Sequence, residues 1–302
     1  MTPANRAVSV RPGEPVPAGA GAGRSSRLVR QWPSLLAGVV LALVVISSLA
    51  APAVAPFDPR KQNIMIRLSP PLTREGARVH ALGTDQLGRD VLSRVIYGGR
   101  VSLTVSVSAV AGSGLLGVAL GLWAGYARGP VEAVVMRLVE LQLAFPVILL
   151  ALVVVGLLGA TTANIILVFI ITSWPVYART VRTTVLTVRD QEYVEAARAV
   201  GNRDTRILVR HILPNTFNPL IIIASFEVAR LIILEASLGF LGLGIQPPTP
   251  TWGNMLAEGR DYLGQGWWIA TFAGAAIILT VGPVNFLGDT LRDLLDPRLR
   301  AE

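Results

Sequence analysis

The longest uncharged stretch of this sequence constrains its fold more than any other feature. From Leu141 to Ala178 the chain runs 38 residues without an Asp, Glu, Lys or Arg. As a single helix that stretch would be about 57 Å long, at 1.5 Å per residue, whereas a bilayer core of about 30 Å is spanned by roughly 20 residues. The stretch is therefore expected to double back as a hairpin. Its turn is expected within Gly156 to Asn164, where Gly, Thr and Asn cluster.

Four further segments complete the pattern. Leu35 to Ala55 and Val101 to Ala127 are charge-free or nearly so, Tyr262 to Gly288 contains the last apolar run, and a run from about Asn218 to Gly239 carries Glu227, Arg230 and Glu235. The third helix must start near Val134 to reach full length, which brings Arg137 and Glu140 into its first turns. Composition agrees: 52% of residues are hydrophobic and 15% charged, against about 25% charged in soluble domains. The apolar runs lack two-residue alternation, which disfavours a β-barrel. The expected fold is an all-α polytopic membrane protein with six transmembrane helices.

Composition also removes several chemistries. There is no Cys, hence no thiolate metal site, disulfide or Cys nucleophile. The two histidines, His80 and His211, are too far apart for an HExxH helix, and no Gly-x-Ser-x-Gly is present. Lys61 is the single lysine and stands between Arg60 and Gln62, so the Gly-Lys-Ser/Thr of a phosphate-binding loop is absent. The net charge of +8 is read as basic cytoplasmic loops of a membrane chain rather than as a nucleic-acid surface.

Six spans put both termini on one side, and arginine placement indicates which. Arg6, Arg11, Arg24, Arg27 and Arg30 precede the first span; Arg179, Arg182, Arg189, Arg198, Arg203, Arg206 and Arg210 follow the fourth. Both segments read as cytoplasmic. The stretch from Phe57 to Arg100 carries eight basic residues on the opposite side, partly balanced by Asp58, Glu75, Asp85 and Asp90, and it approaches the length at which loop charge loses weight. The organisation expected is a disordered basic tail over 1–32, a first span over 33–56, an external loop over 57–100, a five-helix core over 101–290 that includes a cytoplasmic loop over 179–216, and a cytoplasmic tail over 291–302. A cleaved signal peptide competes for the first span, but that run is longer than the usual 7 to 15 residues of such a segment.

The cytoplasmic loop reads as helix, glycine, helix. Asp190 and Asp204 are candidate caps, Gly201 a left-handed stop, and Pro214 the end of the second helix. Ala196, Ala197 and Ala199 leave the backbone of the first helix open to close approach, with Glu195 and Arg198 beside them. An amphipathic helix lying on lipid headgroups would use the same arginines. Elsewhere, Val91, Leu92, Val95 and Ile96 suggest an interfacial helix over Gly88 to Gly99. Trp267 and Trp268 suit a membrane interface, and the Gly- and Pro-rich stretch from Phe240 to Trp252 reads as a rigid outer turn.

Glu195-Ala196-Ala197, then Gly201 and Leu213-Pro214, resembles the EAA loop of bacterial ABC importer permeases. The segments Leu82 to Arg94, Gly98 to Leu103, Trp174 to Arg179, Phe240 to Pro248, Trp252 to Leu256 and Leu291 to Pro297 are similar, in order, to the dipeptide/oligopeptide/nickel branch of that family, its C-type subunit. Glu140 departs from the usual Asp, and Gly266-Trp267 lacks a Pro before the Trp. The resemblance implies a type I importer architecture, with Glu195, Ala196, Ala197, Arg198, Gly201, Asp204, Arg206 and Pro214 docking an ATPase. It also implies partners: a second homologous permease, two cytoplasmic ATPases that use ATP and Mg, and an extracytoplasmic solute-binding protein. No cofactor or metal is expected on this chain, nor catalysis, and the location would be a bacterial or archaeal plasma membrane. Peptides are the expected solute, with nickel, glutathione, opines or sugars as alternatives.

Ionisable residues inside a span face protein or water. Glu227 and Arg230 lie about 60° apart on a helical wheel, and Glu235 about 80° from Glu227. They read either as a structural ion pair or as a lining of the pathway, which an ion-coupled secondary transporter would also require.

Overall fold

The computed structural model describes residues 24–295. Helix α1 (Arg24–Leu49) starts well ahead of the expected residue 33, because the Pro- and Gly-rich composition ends at Gly23 and Ser25 onward offers no breaker before Pro33; the rest of the expected tail lies outside the described residues. A break at Ala50 separates α1 from a single turn, α2 (Ala51–Val54), with Pro52 in its first turn. The segment from 55 to 90 holds an antiparallel two-stranded hairpin, β1 (Thr73–Glu75) and β2 (Arg78–His80).

Helix α3 (Val91–Ala127) is one uninterrupted helix capped by Asp90, whose carboxylate accepts from the Ser93 amide at 2.7 Å. The interfacial helix expected over 88–99 is thus the first part of the second span. Val91 and Ile96 are buried in protein rather than turned to lipid, because Trp252, Met255 and Trp268 cover that face.

The third span differs from expectation. It consists of α4 (Gly129–Ala144) and α5 (Val147–Leu158), bent by 89°. Pro146 supplies no amide proton and disfavours helical geometry at the preceding residue; Phe145 accordingly sits at φ −90°, ψ 131°. The expected hairpin turn is present at Gly159–Thr161, where Gly159 has φ +86° and Thr161 caps α6 (Thr162–Arg189) through the Asn164 amide.

The chain then forms α7 (Glu192–Ala199), a short α8 (Asp204–Ile207), a π-helical turn over Leu208–Ile212, and α9 (Leu213–Phe240). The second loop helix was expected to end before Pro214. Instead it runs into the span, because Pro214 falls in the first turn of α9, where a proline forfeits no intrahelical bond. The π turn absorbs the change of register. Two further helices, α10 (Trp252–Arg260) and α11 (Trp267–Leu295), follow the irregular 241–251 stretch. Of the two tryptophans expected at a membrane interface, Trp267 is half exposed, while Trp268 is buried and donates to the Thr84 carbonyl at 2.9 Å.

Packing fixes the topology. Gly117 and Gly121 of α3 lie so close to α6 that an added Cβ would sit 2.6 Å from the Trp174 carbonyl oxygen and 2.6 Å from that of Ala178, and Gly125 lies against Val185. Small residues permit this backbone approach where water-driven burial is weak. Residue numbers rise together on both helices, so α3 and α6 are parallel. The chain between them must therefore return across the membrane, and the bent α4 and α5 pair is the only segment available. Together with the five helices that are long and apolar enough to cross alone, the bent pair taken as one span brings the candidate crossings among the described residues to six.

Candidate functional site

The loop between α6 and α9 is bound tightly to the helix ends above it. Val194 of α7, Ile207 of α8 and Ile212 of the π turn are buried with Val181 and Val185 of α6, and Val118 and Leu122 of α3 pack against them. A polar rim surrounds this apolar joint. The Tyr126 hydroxyl donates to the Asp204 carboxylate at 2.5 Å, and Arg128 pairs with Asp190 at 2.9 Å. Arg189 donates to the Tyr126 carbonyl at 2.8 Å while its guanidinium lies 5.6 Å from the Tyr126 ring centre. About two turns further into the bundle from Arg189, Arg182 holds Glu132 of α4.

Gly201 is the left-handed stop expected, at φ +86°. The Gly201 amide donates to the Arg198 carbonyl at 2.9 Å and the Asn202 amide to the Ala197 carbonyl at 3.2 Å, which is the Schellman arrangement that closes a helix C-terminus. The two expected caps are different. Asp190 ends α6 and gives no side-chain cap to α7, whose N-cap is Gln191; Asp204 is the first residue of α8 rather than its cap. Both carboxylates are engaged by α3 and its C-cap instead, through Tyr126 and Arg128.

With Val194 turned inward, the opposite face of α7 is open. Glu195, Ala196 and Arg198 are exposed and Ala197 is half-buried; Gly201, Asp204, Arg206 and Pro214 are exposed around it. This surface is small-residued at its centre and charged at its edges. Tyr126, Arg128 and Glu132, which help anchor it, were not singled out by the sequence, because nothing in their spacing links them to the loop, and Arg189 was read only as one of the cytoplasmic charges.

The charges of α9 divide. Arg230 reaches Glu227 at 2.8 Å and 3.1 Å, so the pair expected from the helical wheel is present, with Glu227 buried and the Arg230 side chain 40% exposed. Glu235 does not share that open face. It is buried against α3 and accepts from the Ser102 hydroxyl at 2.6 Å. Arg137 and Glu140 make an exposed i,i+3 pair at 3.3 Å.

At the opposite end of the bundle a second polar cluster joins the first turns of α3 to α10. Asp85 meets Arg89 at 2.6 Å and Arg94 at 2.5 Å, and Glu258 of α10 meets the same two guanidinium groups at 2.7 Å each. Burial pushes the Glu258 carboxyl up, but Arg94 and then Arg89 outweigh it and hold the group below its ordinary value of 4.5. Beside it, His80 lies between Asp90 at 2.9 Å and Glu75 at 3.3 Å and stacks on Phe57.

Comparison with known sequences decides the family. Residues 117–301 match the family model described as the binding-protein-dependent transport system inner membrane component, and residues 25–71 match the N-terminal TM domain of oligopeptide transport permease C. The chain belongs to this family of ABC importer permeases. The di/tripeptide transport system permease protein DppC of Pseudomonas aeruginosa is 44% identical over 85% of this chain and 86% of its own length. The glutathione transport system permease protein GsiD of Pectobacterium atrosepticum is 40% identical, over 91% and 90% respectively. Among solved structures, an amino acid ABC transporter aligns with TM-score 0.53 at 15% identity, over 68% of this chain and 95% of that one. The MetNI methionine ABC transporter aligns with TM-score 0.53 at 18% identity, over 67% and 96%. These likenesses establish the fold. The permease is thus a multi-pass membrane protein of a binding-protein-dependent importer, a family that implies ATPase and binding-protein partners.

Proposed function

We propose that this permease forms half of a peptide pathway, beside a second homologous permease, and takes its solute from an extracytoplasmic binding protein. The observation that carries the mechanism is the joint under α7: Tyr126 to Asp204 and Arg128 to Asp190 tie the surface of exposed Ala196 and half-buried Ala197 to the ends of α3 and α6. An ATPase that seats α7 in a groove and closes on ATP would move α3, α6 and α9 together, which is rocking of a bundle about a central cavity. ATP and Mg belong to the two ATPase subunits; this chain supplies no phosphate loop and no catalysis. The loop end and both termini face the cytoplasm, as the arginine distribution favours. The Arg230 side of α9, with Glu227 behind it, lines the pathway.

Peptide is the favoured solute because relatives at 37–44% identity carry di/tripeptide, dipeptide and D,D-dipeptide transport in their names, and glutathione is itself a tripeptide. The test is reconstitution of all subunits in proteoliposomes with ATP inside and binding protein outside. Uptake of a labelled dipeptide or tripeptide that requires ATP and the binding protein is the expected result. Uptake of nickel or a sugar with none of peptide would replace the solute assignment.

A further inference from the structure

An open cavity of about 820 Å³ lies at the end of the bundle remote from the α7 loop, between the 52–60 segment, the β-hairpin, the first turns of α3, the start of α6 and the Thr249–Pro250 stretch. Along α3, Arg100 of the cavity and Tyr126 of the loop joint are 26 residues apart, about 39 Å at 1.5 Å per residue. Its volume falls in the range of ligand pockets. Its charge is one-sided. Arg60, Arg78 and Arg100 line it, against the single carboxylate of Asp58, whose Oδ1 already accepts from the Arg60 amide at 2.8 Å.

The three guanidinium groups are held differently. Arg78 is positioned: it donates from Nη1 to the Pro56 carbonyl at 3.1 Å and lies over the Phe57 ring with 5.7 Å to its centre. Phe57 in turn stacks on His80 with ring centres 4.2 Å apart. The Arg60 and Arg100 side chains carry no ion pair among the described residues. Neighbouring carboxylates offer them none, since Asp85 and Glu258 are engaged by Arg89 and Arg94, and Asp90 and Glu75 by His80. A concave site with uncompensated positive charge concentrates anions, and a guanidinium fork matches a carboxylate in two hydrogen bonds.

We propose that Arg60, Arg78 and Arg100 form a receiving station on the solute path, which takes the carboxylate of a peptide as it leaves the binding protein. This rests on the peptide reading above. Tyr97 lines the same cavity and provides a reporter position.

The experiment uses the complete transporter in proteoliposomes with Tyr97→p-benzoylphenylalanine, a labelled tripeptide with a free C-terminus, and binding protein. Illumination during turnover is expected to attach the tripeptide to this chain. Arg60→Gln together with Arg100→Gln should reduce that adduct about tenfold, a loss of about 1.4 kcal/mol of attraction, while Arg60→Lys together with Arg100→Lys, which keep the charge and lose the fork, should give an intermediate yield. Retained assembly with the ATPases and retained basal ATP hydrolysis check that the variants are folded. Adducts to phospholipid alone or to the binding protein alone, with normal peptide uptake, overturn the station and leave the peptide reading standing. A peptide adduct indifferent to the Gln variants overturns it as well. Absence of peptide uptake by the parent complex overturns both.

Discussion

The Tyr126 hydroxyl, in the last turn of α3, donates to the carboxylate of Asp204, the first residue of α8, at 2.5 Å. This bond joins the loop to a helix that is not its neighbour in sequence. Tyr126→Phe keeps the ring under Arg189 and removes only the bond, which is worth about 1.5 kcal/mol or more when the acceptor is charged. Insertion and ATPase binding should survive. Solute carried per ATP hydrolysed should fall several-fold, measured in proteoliposomes; an unchanged ratio would mean that the joint transmits motion without this bond.

The Glu258 cluster gives a pH prediction whose sign follows from its depressed carboxyl. A carboxylate held below its ordinary value stabilises the fold above that value, near 4.5, and the contribution is lost as pH falls through the lower folded value. Removing a partner from a buried ion pair costs about 3 to 5 kcal/mol, and the partial exposure of Glu258 places it at the lower end. Glu258→Gln should lower the thermal midpoint in detergent at pH 7. The gap from the parent should persist to about pH 4.5 and narrow only below it. A gap that closes between pH 5 and 7 would assign the effect to another group.

Much of this arrangement was legible in the sequence, and the failures have physical causes. The 38-residue uncharged stretch required a turn, and Gly159 supplies it; Gly201 stops α7, and Glu227 meets Arg230. The bend at Phe145 was present in the sequence as Pro146, but counting apolar length does not register a missing amide proton. The continuous α3 was hidden because Arg94 and Arg100 made its first part look unfit to join a span. Burial of Arg94 rests on Asp85, nine residues before it, and on Glu258, which arrives from 164 residues away, a partner that no local pattern indicates. The same holds for Tyr126 and Asp204, 78 residues apart.

Orientation follows from the six crossings once one side is known. The absence of native Cys makes single-cysteine labelling clean. A Cys at Asn202, beside the α7 stop, should be protected from an impermeant thiol reagent in intact cells, and a Cys at Gly76, in the tip of the β-hairpin, should react. The reverse pattern would invert the topology while leaving the packing argument intact.

The final prediction concerns α7 itself. Ala196 is exposed on the face opposite Val194, while Ala197, three residues after Val194, is half-buried at the edge of the apolar joint, so a large side chain at Ala197 would protrude from that edge into the outward surface. If an ATPase groove fits that surface, Ala197→Trp overpacks the contact and costs about 1 to 3 kcal/mol of docking, which is roughly a fivefold to hundredfold loss of affinity. Gly201→Val acts by a different route. No atom lies within 4 Å of the position a Cβ would take, so the penalty is not steric contact but the left-handed backbone at φ +86°, which a β-branched residue adopts only with strain. The Schellman turn would open and α7 would leave its angle to α8. Both variants should insert in the membrane at the parent's level, lose transport, and release the ATPases on purification through a tag on this chain. Retention of the ATPases and of uptake by Ala197→Trp would remove α7 from the docking surface and leave it as a helix resting on lipid headgroups.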